Sequence, residues 1–143
     1  MKRLLAATFF ACTVAASGCS SGDDRSLNLD DLRNAEAPYY YVGSSFEGHD
    51  VSYIYRYRAG EASIDYGTCE PPDTGLFGEG GCPVPLVLQH RLCHGVVTVS
   101  IFVGQGAKPG SANRAAKALR PLSKGARVRA ERPAIVFDRG VPC

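Results

Sequence analysis

The sequence predicts an α+β fold: a small, largely antiparallel sheet with one or two short helices, stapled by disulfides. Three observations lead there. Several segments alternate apolar and polar residues between turn residues, one later segment repeats with a helical period, and four cysteines follow an N-terminal leader and its terminal Cys19.

The elements follow in order. Leu27 to Ala37 is a weak helix that Asn28 or Asp30 could cap. Tyr39 to Val42 reads as a strand stopped by Gly43. Val51 to Arg58 places Val51, Tyr53, Tyr55 and Tyr57 on one face and Ser52, Ile54, Arg56 and Arg58 on the other. The Ala59-Gly60 turn then leads into Ala62 to Tyr66, which makes a hairpin. Pro85 to Cys93 and Val96 to Val103 form a second pair around His94-Gly95. Ser111, after Pro109 and Gly110, is expected to cap a helix with Ala112, Ala115, Ala116 and Leu119 on one side and Arg114, Lys117 and Arg120 on another. Pro121 disfavours helical geometry at Arg120 and stops it. Ala134 to Asp138 is the last strand.

The first residues have a different character. Lys2 and Arg3 are followed by an apolar run from Leu4 to Ala16 and by Ala16-Ser17-Gly18-Cys19. The run is too short to span a bilayer, which takes roughly twenty residues. This order is that of a bacterial lipoprotein signal, in which Cys19 takes a diacylglyceryl group and further acyl chains such as palmitate. Ala16 stands where Leu is commoner, so an ordinary small-x-small cleavage after Gly18 is the alternative. Cysteine parity favours the lipid: Cys12 leaves with the signal, and if Cys19 is acylated, Cys69, Cys82, Cys93 and Cys143 can pair without a remainder. Residues 1–18 are thus read as signal peptide, 19–28 as a polar flexible tether, and 29–143 as one globular domain. The expected location is the cell membrane, lipid-anchored on the extracytoplasmic face.

Charge is divided along the mature chain. From Cys19 to Gly80 four arginines face twelve acids, for −8, whereas from Gly81 to Cys143 ten basic residues face two acids, for +8. The plainer expectation is that the halves pack together and neutralise each other; a binding face is the alternative.

A motif runs through the middle of the chain: Asp65-Tyr66-Gly67-Thr68-Cys69, then Gly81-Cys82-Pro83-Val84-Pro85-Leu86-Val87-Leu88-Gln89, then Cys93. This YGxC…GCxxPL…Q…C arrangement resembles a group of small secreted or lipid-anchored bacterial proteins of the high-GC Gram-positive type, from Pro38 to about Pro121. The resemblance implies an extracytoplasmic compartment and disulfides, and no activity. Cys69 and Cys82 enclose twelve residues with few apolar groups, so a bridge there would remove about 3 kcal/mol of loop entropy from the unfolded chain. Cys69 with Cys82 and Cys93 with Cys143 is the preferred pairing among three connectivities.

Candidate chemistry is sparse. His90, Cys93 and His94 are the only crowded metal-ligand types, but on a strand Cys93 points away from His90, so surface or packing histidines are the better reading. Gly104, Gly106 and Gly110 lack the dinucleotide spacing, no nucleophile elbow appears, and no local Cys-His arrangement survives if the cysteines are oxidised. Asp50 beside His49, or Asp65 and Glu70, are isolated acids that usually lie solvated. No cofactor and no nucleic-acid partner is expected. Tyr53, Tyr55 and Tyr57 either all pack inward, the more frequent outcome, or are all presented to an envelope protein or polymer. The sequence therefore points to a lipid-anchored, non-enzymatic binding module. The alternatives are a small metal-dependent enzyme using His90 and His94, or an inhibitor presenting Leu76 and Phe77 on the Cys69 to Cys82 loop.

Overall fold

A computed structural model describes residues 27–68, 84–129 and 132–139. The elements run α1 (Leu29–Arg33), β1 (Tyr40–Tyr41), β2 (Ser45–Phe46), β3 (His49–Arg58), β4 (Glu61–Tyr66), β5 (Leu86–Cys93), β6 (Val96–Val103), α2 (Ser111–Ala118), β7 (Arg120–Pro121), α3 (Lys124–Val128) and β8 (Ala134–Phe137). The architecture is α+β, with a curled, mostly antiparallel sheet and few short helices. Six strands follow the order β2-β3-β4-β5-β6-β8, and β1 pairs separately with β7. Only β8 lies parallel to its neighbour, β6. A parallel return needs a long crossover, and the stretch holding α2, β7 and α3 supplies it.

Local chemistry accounts for most of these elements. His94 and Gly95 both take positive φ, +48° and +83°, the pattern of a two-residue turn whose twist matches a hairpin. Asn28 caps α1 in a capping box: its side chain accepts from the Asp30 and Asp31 amides, while the Asp31 carboxylate accepts from the Asn28 amide. At α2 the expected cap is displaced. Gly110, at φ +78°, is the N-cap, and Ser111 is the first helical residue, its hydroxyl turned to the Glu47 carboxylate and the Lys108 carbonyl. The helix ends at Ala118, so Leu119 is already extended before Arg120 and Pro121 pair with β1. Helix α3 is an addition to the predicted elements, capped by Ser123.

One sheet face carries the core. In register across the strands, Ile54, Ile64, Leu88 and Ile101 form one row, and Ala62, His90 and Val99 the next. Leu32 from α1, Tyr39, Tyr40 and Val42 from the segment around β1, Ala115 from α2, and Leu122 and Ala126 around α3 join the same cluster. Burying such apolar side chains fully contributes roughly 1.5–3 kcal/mol each. Leu27 packs against this cluster as well.

One correction follows from β3. Ile54 is its buried residue, so Tyr53, Tyr55 and Tyr57 occupy the face opposite the core. The inward-packing expectation for these tyrosines is overturned, because the aliphatic row needs Ile54 and period two then directs its neighbours outward.

Candidate functional site

The histidine that looked most chemical is a fastener. His90 is 1% exposed, with its ring edge against Tyr39 at 5.7 Å between centroids. The Tyr40 amide N–H donates to Nε2 at 3.0 Å, with the Tyr40 carbonyl also 2.7 Å from that atom, and Nδ1 lies 3.3 Å from the Ala62 carbonyl. Burial pushes its pKa down to about 4, although both backbone contacts pull it up. The ring is therefore neutral at ordinary pH, with both nitrogens engaged by main chain.

The same logic recurs along residues 37–43, a strap across the core. Ser123 Oγ accepts from the Tyr39 amide at 2.9 Å and the Ala126 amide at 3.2 Å, and donates to the Ala37 carbonyl at 2.5 Å. The Tyr39 hydroxyl accepts from the Gly60 amide, and the Tyr66 hydroxyl accepts from the Val42 amide and donates to the Gly43 carbonyl. Among the described residues no buried side-chain polar atom lacks a partner. These core polar groups hold the strap down, where a strand only two residues long could not hold itself.

His90 and His94 are not brought together as a metal centre. His90 faces the core from within β5, whereas His94 is exposed in the turn that follows. Among the described residues no three His, Cys, Asp or Glu side chains converge. Cys19, Cys69, Cys82, Cys143, Leu76, Phe77 and Glu70 lie outside the described residues.

The face of β3 opposite the core holds a tyrosine ladder. Tyr53 and Tyr55 meet at 3.9 Å between centroids and 61° between planes; Tyr55 and Tyr57 follow at 6.3 Å and 6°. Tyr53 and Tyr55 are partly buried, and Tyr57 is 50% exposed. Asp65, opposite Tyr53 in β4, accepts a 2.6 Å bond from the Ser63 hydroxyl. Desolvation raises the Asp65 pKa, with the Ser63 bond pulling the other way. Burial raises the Tyr55 and Tyr57 phenols too, and the Asp65 charge adds to it. Ser63 and Asp65 have no imidazole beside them: Ala62, not Ser63, pairs with His90, so His90 lies on the other face. What the ladder offers is a row of amphipathic rings with a hydroxyl and a carboxyl at its side.

A second concave feature is cationic, and individual residues gave no sign of it. Lys117, Arg120, Arg129 and Arg132 line a groove floored by Tyr40. The only sequence signal was the positive C-terminal half. Part of that charge does pair with the acidic half, through Arg91 with Glu61 and Arg114 with Glu47. The four groove cations take no part in this neutralisation among the described residues.

Comparison with protein-family models, curated proteins and solved structures finds no match to this chain. Among the described residues no helix is long and apolar enough to cross a membrane.

Proposed function

We propose that this chain is a lipid-anchored, disulfide-stapled, non-enzymatic module on the extracytoplasmic face of the cell membrane, which captures an envelope protein through Tyr53, Tyr55 and Tyr57. The observation that carries it is the ladder itself: three tyrosines in ring contact lie off the core, with Tyr57 half exposed beside exposed Arg56 and Arg58. Tyr and Arg are the residue types enriched where proteins meet, because each joins a large apolar surface to a polar tip at modest entropic cost.

Anchoring is supported by Lys2, Arg3, the apolar run to Ala16 and the small residues before Cys19. Stapling is supported by the even cysteine number once Cys19 is set aside. A dually acylated cysteine gives stable attachment where one chain would not.

The experiment joins both halves of the reading. Labelled palmitate should enter the wild-type protein and not Cys19→Ser. A photo-crosslinking amino acid at position 57, in intact cells, should give one discrete protein adduct that is lost when Tyr53 and Tyr55 become serine. Absence of label from the wild type would remove the anchor. An adduct indifferent to Tyr53 and Tyr55, or one made with polysaccharide, would remove the protein-capture reading.

A further inference from the structure

The cationic groove has the makings of a ligand site. It has two adjoining lobes of about 330 and 290 Å³ that share Tyr40, Arg129, Arg132 and Pro133. Each lobe is near the lower end of small-molecule sites, which start at roughly 300 Å³. Lys117 and Arg120 enter the first lobe from the end of α2 and from β7, while Arg129, which follows α3, and Arg132, which precedes β8, line both.

Two of these cations are held in place before any ligand arrives. The Arg120 guanidinium lies over the Tyr41 ring, 4.9 Å from its centroid, and Arg129 Nη1 donates to the Gly95 carbonyl. Neither contact neutralises the charge. No carboxylate among the described residues lines either lobe, and none of the four cations forms an ion pair among the described residues. Like charges clustered in a concave site repel one another, and an anion relieves that repulsion. The walls between the cations are apolar, from Leu119, Pro121, Pro133 and Ile135 in one lobe and Val96 and Val97 in the other.

We propose that this groove binds a phosphate ester, with the phosphate between Arg129, Arg132, Lys117 and Arg120 and the organic group against the apolar wall. Arginine forks match phosphate oxygens two at a time, which favours this anion over a halide or a single carboxylate. The apolar wall favours an ester over inorganic phosphate. Such esters occur both as free small molecules and as phospholipid headgroups, and the groove chemistry is the same for both.

Titration of the purified full chain with glycerol 3-phosphate, dihexanoyl phosphatidylglycerol and dihexanoyl phosphatidylcholine, each below micelle formation, separates these sources. Saturable binding is expected for at least one of the first two, and weaker or none for the zwitterionic lipid. Loss of one charge-assisted contact should weaken it about tenfold in Arg132→Ala and in Lys117→Ala. Arg139→Ala removes an exposed cation outside the groove and should leave it unchanged. Tyr41→Leu, which releases Arg120 without removing charge, should weaken binding less than Arg132→Ala. Binding of glycerol 3-phosphate identifies a free ester; binding of phosphatidylglycerol alone identifies a headgroup. Failure of both anions to bind, or equal losses in Arg132→Ala and Arg139→Ala, overturns the proposal. The result is independent of the tyrosine ladder, which lies on the opposite face of the sheet from Tyr40.

Discussion

The Tyr40 amide donates to the Nε2 atom of His90 across fifty positions of sequence, so a side chain on β5 holds a strap that arrives before the sheet begins. The Tyr40 carbonyl lies 2.7 Å from the same nitrogen, so the backbone of one residue holds that edge of the ring. A proton on His90 would place a charge in the core with no carboxylate in contact among the described residues, and the depressed pKa expresses that penalty.

Acid should therefore lower the stability of the fold. The unfolded imidazole titrates near 6.5 and the folded one near 4, so between these values the unfolded state binds more protons and stability falls as pH falls. The loss is on the order of 3 kcal/mol at the low end and absent above pH 7. Asp65, whose raised pKa works in the opposite sense, is common to wild type and variant and cancels in their difference. Urea unfolding at several pH values should show this slope in wild type and a flatter one in His90→Gln. Equal slopes would mean that His90 does not carry the effect.

Gly125 should be irreplaceable for a reason separate from its flexibility. A Cβ built there would sit 1.6 Å from the Glu36 carbonyl oxygen, a backbone atom that cannot step aside without moving the strap. Gly125→Ala should cost more than about 3 kcal/mol. Gly48 at φ +91° has nothing within 4 Å of its would-be Cβ, so Gly48→Ala should cost only about 1 kcal/mol of backbone strain. Comparable unfolding midpoints for the two variants would contradict the close approach of α3 to Glu36.

Peptide mapping of the non-reduced protein should return Cys69 joined to Cys82 and Cys93 joined to Cys143, with Cys19 in neither. Replacing Cys69 and Cys82 by serine should lower stability by about 3 kcal/mol through the unfolded chain and leave the core intact. A linkage between Cys82 and Cys93 would replace this pairing with a different connectivity.

Tyr57→Ser should leave stability within about 0.5 kcal/mol of wild type, because half of the ring is already in water. Ile54→Ala, on the other face of the same strand, should cost about 2 to 5 kcal/mol by opening a hole in a packed row. Similar losses in the two variants would reverse the assignment of the two faces.

Much of the fold was legible in the chain because its signals are short-range. The Asn28 capping box, the His94-Gly95 turn and the period-two strands act over a few residues and need no partner to be read. Ser111 has the chemistry of a cap, yet Gly110 at positive φ begins the helix and frees the serine for Glu47. Helix α3 leaves little mark in the sequence because five residues give no period, and it rests on a single capping serine and contact with the strap.

Sequence alone determined the hairpins, the leader-like beginning, the divided charge and the candidate tyrosines, since each is a property of neighbours along the chain. Tertiary structure alone decided which face of β3 met the core, that His90 serves the backbone of Tyr40, and that four cations surround one groove. Those outcomes depend on which distant segments share a surface. A tyrosine, a histidine or an arginine is equally compatible with burial and display until packing removes one side of it from water.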